Sequence, residues 1–211
     1  MTKQTDDAGQ GQIRQSNERV ILAAAEAMFA RAGFSGTTMA AIAQASELPK
    51  ANLHYYFGSK EAIYRAVLAR ILNDWLAPAD AIHSEADPRT AIEQYIRAKM
   101  ALSKQRPDAS KVFANELLHG APLVKELLAT ELRKLVKAKV AVLQAWMDQG
   151  RMAQVDATHL FFTIWAATQT YADFDVQVSA VLGHNNLSAK AHARSTEHVV
   201  SLILRGCGLS Q

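Results

Sequence analysis

The sequence predicts an all-α protein: an N-terminal three-helix helix-turn-helix domain followed by a larger C-terminal helical domain. Three observations carry this. Apolar residues recur at helical spacing along the 211 residues, and no period-2 alternation long enough for a strand interrupts them. The composition is 49% hydrophobic and 20% charged with only five prolines and ten glycines, which suits long helices. The stretch Thr37 to Lys60, TTMAAIAQASELPKANLHYYFGSK, reads as a short helix, a tight turn, a second short helix and the start of a third.

Residues 1–15 are polar and carry Asp6 and Asp7, so they read as a flexible arm rather than a signal peptide. The first helix is expected over Asn17–Ala32, with Val20, Ile21, Ala24, Ala25, Met28 and Phe29 on one face and Gly33 as its stop. Thr37 and Thr38 are N-cap candidates for the second helix, which is compact and alanine-rich. The break falls at Ser46–Glu47–Leu48, and Pro49 stands in the first turn of the third helix, where a missing N–H costs nothing. That third helix is barely two turns around one apolar residue, Leu53, and cannot sustain itself alone.

Ser59 caps a fourth helix running to about Leu76, with Tyr64, Leu68, Ile71 and Trp75 in one stripe and Pro78 at its end. Pro88 and Pro107 open the segments 89–105 and 108–119, and Gly120 and Pro122 precede a helix over 123–149. After Gly150 and Asp156 a long helix is expected over 157–182, then a loop from Gly183 to Asn186 and a last helix over 187–204. The chain then divides into the arm, a helix-turn-helix domain over 16–60 and a domain over 61–211, with the helix from 59 joining the last two.

A two-turn helix showing polar groups outward has its purpose on its exposed side. Lys50, Asn52 and His54 are within reach of base edges if this helix enters a major groove, Asn suiting adenine and Lys suiting guanine. Thr38, Tyr55 and Lys60 are better placed for phosphates. The competing reading is a solvated helix with a stacking tyrosine pair. Net charge supports nucleic acid modestly: it is +3 in all, and seven basic against four acidic side chains lie between Ile13 and Arg70. Phosphate contacts dominate affinity, so one copy should bind weakly and two copies more firmly.

The run FARAGFSGTTMAAIAQAS followed by ANLHYYFGSKEAIYRAVL resembles the amino-terminal DNA-binding domain of the TetR family of bacterial regulators, over roughly Ser16 to Leu72. The triplet Tyr55–Tyr56–Phe57 followed by Gly58–Ser59–Lys60–Glu61 is its most specific part. The resemblance implies that Tyr55 and Lys60 hold phosphates. Two departures stand out: Glu47 replaces the usual turn glycine, and Pro49 replaces the serine or threonine that often opens the recognition helix.

The remaining residues would dimerise such a reader, sense a ligand, or both. The hairpin of 157–182 and 187–204, with Thr196, Val199, Val200 and Ile203 along one side, could form half of a four-helix interface across a two-fold axis; an ordinary buried hairpin is the alternative. A homodimer would set two recognition helices about 34–36 Å apart on a near-palindromic operator.

Trp75 closes the fourth helix, and Trp165 and Gln169 lie one turn apart with Phe161 a turn earlier. Two indoles offer flat faces to a ring, and one amide offers a donor beside an acceptor, as the edge of uracil requires. Tryptophans that are simply core are the alternative. ILNDWLAP, NELLHGAP and WAATQTYADFDVQVSAV are similar to the TetR subgroup of pyrimidine-utilisation repressors. That resemblance implies a ligand such as uracil or thymine at Trp75, Trp165 and Gln169, although a relative with another small planar effector would look much the same. Tyr95, Arg97 and Lys99 are further pocket candidates without a ranking. A ligand favouring one position of Trp75 would act on DNA through the fourth helix, and ligand is expected to loosen binding.

An enzyme would start from Glu116 and His119, an E-x-x-H pair, but a di-iron bundle needs a second copy that the chain lacks. His192 and His198 are six apart, poor spacing for shared metal ligation. No glycine-rich phosphate loop, C-x-x-C or G-x-S-x-G occurs, so neither cofactor nor metal is expected. A helical scaffold would leave Thr37–Lys60 unexplained. The single cysteine, Cys207, suits a reducing compartment, no apolar run is long enough for a bilayer, and a cytoplasmic protein is expected.

Overall fold

The computed structural model describes residues 4–183 and 188–209, with side chains from residue 11 onward, and every regular element among them is helical. Helix α1 spans Gln4–Gly36 and bends at Gly33, whose φ of 67° and ψ of 177° break the helical path where a stop was expected. The start differs: helical backbone extends back to Gln4, within the arm expected over residues 1–15, of which residues 1–3 lie outside the described residues. Residues 11–16 of this extension are exposed. Ile21, Ala25 and Phe29 are buried, whereas Val20, assigned to the same face, lies 43% exposed because the bundle covers a narrower stripe.

Helix α2 (Met39–Ser46) is capped by Thr38, whose hydroxyl accepts from the Ala41 N–H at 3.1 Å. Thr37 is buried and donates to the Gly33 carbonyl at 2.8 Å. Glu47 ends α2 in the left-handed region (φ 55°, ψ 28°), the conformation for which a glycine would serve best. Pro49 is the N-cap of α3 (Lys50–Phe57) and supplies no side-chain hydrogen bond. Ser59 caps α4 (Lys60–Leu76) through the Ala62 N–H, and a 3₁₀ turn carrying Pro78 follows at once (Ala77–Ala81).

Helices α5 (Pro88–Gln105) and α6 (Pro107–Leu118) begin at the prolines that announced them. The next segment is not one uniform helix. A single turn, α7 (Lys125–Leu127), passes through a π-helical turn (Leu128–Leu132) into α8 (Arg133–Asp148). The long helix expected over 157–182 is also divided: Phe174 (φ −118°, ψ 35°) separates α9 (Ala157–Asp173) from α10 (Asp175–Leu182). The following loop expectation falls largely on residues 184–187, outside the described residues, and α11 spans Ala189–Gly206.

Two hydrophobic cores form. The first joins α1 to α4 with α6 and the start of the following segment, around Ile21, Phe29, Ile42, Leu53, Leu68 and Phe113. The second joins α5, α8, α9 and α11 around Tyr95, Ile96, Trp146, Phe161 and Val200. This decides between the two readings of the last helix in favour of burial within one protomer. Thr196, Val199, Val200 and Ile203 are buried, and the three apolar ones pack into the protomer's own second core; α11 lies against α5 and spends that stripe within the chain. Its outward face carries Leu202, and α10 exposes Val176 and Val181, all more than half accessible. No helix among the described residues is long and apolar enough to cross a membrane.

Candidate functional site

The outward face of the helix-turn-helix is built by few contacts. Leu53 is the buried anchor of α3, sunk into the first core, and this turns Lys50, His54 and Tyr55 outward while Asn52 stays half-buried. His54 Nδ1 bonds the Gly58 carbonyl at 3.1 Å, closing the carboxyl end of α3. Tyr55 is 77% exposed and packs edge-on against Tyr56 at 5.1 Å, while the Tyr56 hydroxyl accepts from Asn17 at 3.0 Å. Tyr56 ties α3 to α1 and leaves the Tyr55 phenol free to reach outward. Thr38 is exposed beside this face at the start of α2.

Lys60 behaves differently from its neighbours. Its ammonium turns inward, donating to the carbonyls of Phe34 at 2.7 Å and Thr37 at 2.9 Å and standing 4.3 Å above the Phe34 ring. It closes the frayed end of α1 rather than reaching out with Thr38 and Tyr55. The charge that sequence spacing assigned to a phosphate is largely committed to backbone carbonyls 23 and 26 residues away.

The second constellation lies where the two cores meet. Trp75, Trp165 and Gln169 come together on one cavity of about 150 Å³, with Leu72, Phe113, Leu128 and Leu132 among its apolar walls. Trp75 belongs to the first core and Trp165 packs against the second, so the cavity straddles the seam. The volume is well below the roughly 300–1,000 Å³ of pockets for drug-sized ligands, which limits an occupant to about one ring. Trp165 is fixed by donating its Nε1–H to the Tyr95 hydroxyl at 2.7 Å and by Phe161 and Phe162 at 6.0 and 5.6 Å. Trp75 Nε1 is buried without a partner among the described residues. Outside the cavity an apolar groove shares Leu128, Leu132 and Trp165 with it, so the π-helical turn is the partition between the two.

Of the three unranked candidates, Lys99 lines the cavity, buried, with its ammonium 3.9 Å above the Trp75 ring. Tyr95 acts through Trp165. Arg97 lies outside, clamped by Glu93 and Glu197 on the surface. Lys99 was obscured because a lysine on an amphipathic helix ordinarily reads as solvated; only the three-dimensional convergence of α4, α5 and α9 shows it buried. Burial pushes its ammonium down to about 7, opposed by the attraction of Asp173.

The cavity is linked to the reading head by one arginine. Arg106, between α5 and α6, pairs with Glu26 of α1 at 2.5 Å and with Asp74, the residue before Trp75. No sequence pattern announces this bridge, since its partners lie 80 and 32 residues away. The E-x-x-H pair is put to structural use. Glu116 accepts the Leu123 N–H at 2.7 Å and His119 is exposed, and no metal-ligating cluster occurs among the described residues.

Comparison with known proteins agrees with both halves of this arrangement. Residues 21–67 match the family described as bacterial regulatory proteins, tetR family, and residues 68–210 match the YcdC-like protein, C-terminal region. The HTH-type transcriptional regulator RutR of Escherichia coli K12 is 42% identical over 191 residues, covering 90% of each chain. The ketosteroid transcriptional regulator KstR2 of Mycobacterium tuberculosis superposes with a TM-score of 0.69 at 20% identity, over 90% of this chain and 94% of that one. AibR, in a complex with isovaleryl coenzyme A and operator DNA, superposes with a TM-score of 0.68 at 17% identity, over 88% and 97%. With a reading head, a cavity at the seam and these matches over its length, the chain belongs to the TetR family of ligand-responsive transcriptional regulators, DNA-binding proteins rather than enzymes.

Proposed function

We propose that the protein represses transcription as a homodimer on a near-palindromic operator and releases it on binding a small planar pyrimidine such as uracil or thymine. The observation that carries this reading is the single-ring cavity with two indoles and a glutamine amide on its wall. Gln169 has no side-chain hydrogen bond to a described residue, so its donor and acceptor are free for an amide edge. The resemblance of ILNDWLAP, NELLHGAP and WAATQTYADFDVQVSAV to the pyrimidine-utilisation subgroup supports a pyrimidine over other rings of that size.

Thr38, Lys50, Asn52, His54 and Tyr55 supply the DNA contacts, with Lys60 shaping the surface from beneath. The exposed Val176, Val181 and Leu202 on α10 and α11 provide apolar area that a second copy would cover. Response follows from the seam. From Lys60 to Trp75, α4 spans about 22 Å, and Arg106 ties its far end to α1. A ligand that prefers one setting of Trp75 biases the orientation of the reading head, provided its affinities for the two settings differ.

Fluorescence anisotropy on labelled promoter DNA, titrated with uracil and with thymine, tests the reading. Release of the operator by either base, and none by benzene-sized hydrocarbons, is expected. Unchanged DNA affinity at saturating base would remove the pyrimidine assignment.

A further inference from the structure

Lys99 sits on the inner face of α5 with 2% of its surface accessible, yet it makes no hydrogen bond to a described residue. Its contact is with the π-face of Trp75, 3.9 Å away, which attracts a cation but accepts no strong hydrogen bond. The charged groups around it are otherwise engaged. Asp173 on α9 attracts it but accepts from the Ser110 hydroxyl. Lys111 of α6 pairs with Asp175, His192 of α11 engages the Met100 carbonyl, and Asp74 of α4 is held by Arg106. An ammonium buried with so little return weakens the fold. Trp75 Nε1 is likewise unpartnered, so α4 and α5 each bring an unused donor to the same cavity wall as Gln169. Groups that cost stability while facing a cavity are what a binding site retains.

We propose that Lys99 is an effector-binding residue whose ammonium donates to a ring-carbonyl oxygen of the ligand, making a carbonyl acceptor a condition of entry. This rests on the reading of the cavity as the effector site and adds the selecting group. A heterocycle lacking a carbonyl there would leave the ammonium buried and unpaired, and is rejected for that reason. The ring lies against Trp165 or the open side of Trp75, since the ammonium covers one indole face. With the amine titrating near 7, ligand held by the charged form takes up a proton when it binds above that pH.

The full-length protein carrying Lys99→Met, which keeps the stem and removes the charge, tests this with uracil as probe. Wild-type affinity by calorimetry should fall about tenfold from pH 6 to pH 8, with proton uptake visible as a dependence on buffer ionisation enthalpy. The variant should bind at least tenfold more weakly at pH 6 and show no such pH dependence. Without ligand, the variant should melt about 2–4 °C higher at pH 7, because the desolvated charge is gone. The gap should close as pH rises toward the unfolded lysine value of about 10.4, where wild type also folds with a neutral amine. A variant that melts lower assigns Lys99 to the fold and overturns the proposal, as does one that binds uracil like wild type. Failure of wild type to bind uracil at either pH removes the pyrimidine reading, and the melting comparison then decides the role of Lys99 by itself.

Discussion

Replacing Lys60 with methionine separates two duties that one amine could perform. Methionine preserves the unbranched stem and the helix propensity while deleting the charge and all three donors. The lost contacts are the bonds to the Phe34 and Thr37 carbonyls at 2.7 and 2.9 Å and the seat over the Phe34 ring. A hydrogen bond from a charged donor contributes about 1.5–3 kcal/mol. The site is half-buried and the freed carbonyls regain some water, so the net loss should be about 2 kcal/mol rather than the sum of the parts. Urea denaturation with a slope of about 2 kcal/mol/M should then show a midpoint about 1 M lower. The salt dependence of operator binding reads the other duty. An ammonium bonded inward releases no counterion, so the slope of log affinity against log salt should match wild type. A phosphate contact would reduce it by about 0.9 per protomer. An unchanged urea midpoint together with a slope reduced by about 1.8 per dimer would refute the internal role.

Arg106→Met cuts the bridge between Glu26 and Asp74 and should cost about 2 kcal/mol, since Glu26 is left nearly buried without its partner. In anisotropy titrations, the variant's operator affinity should respond less to uracil than wild type's does, while uracil affinity without DNA changes less than twofold. Glu47→Gly relieves a left-handed residue that costs about 1–2 kcal/mol. After the added backbone entropy of glycine it should gain about 0.5–1 kcal/mol in thermal or urea unfolding, with operator affinity unchanged.

Punctuation was the most legible part of the sequence. Thr38, Ser59 and Asp156 cap helices as their side-chain chemistry demands, and Pro88 and Pro107 open helices because a first turn needs no N–H. The strained Glu47 was legible through the family resemblance, in which glycine usually occupies this left-handed turn position. Less legible was which surface covers each apolar stripe. Thr196, Val199, Val200 and Ile203 were read correctly as one side of the last helix, but periodicity does not say whether a second copy or α5 covers it. The break at Phe174 interrupts an apolar pattern that continues on both sides, with no proline or glycine to mark it. Trp75, Trp165 and Gln169 were grouped at one pocket only through the family resemblance, since nothing in their spacing brings α4 and α9 together. Lys60 shows the opposite limit: a basic residue spaced for phosphate turned inward because two carbonyls at the end of α1 needed a donor.

The widened turn at Leu128–Leu132 gives this architecture a means of diversification. A π turn holds one residue more than regular winding needs, so removing one residue there restores regular winding and leaves the helical phase on either side nearly where it was. Only the bulge itself would tighten, moving Leu128 and Leu132 locally, and the chamber would change shape without any substitution among the indoles or the glutamine. What the chamber admits can therefore be altered through the length of this segment alone, a change that inspection of the wall residues by themselves would miss.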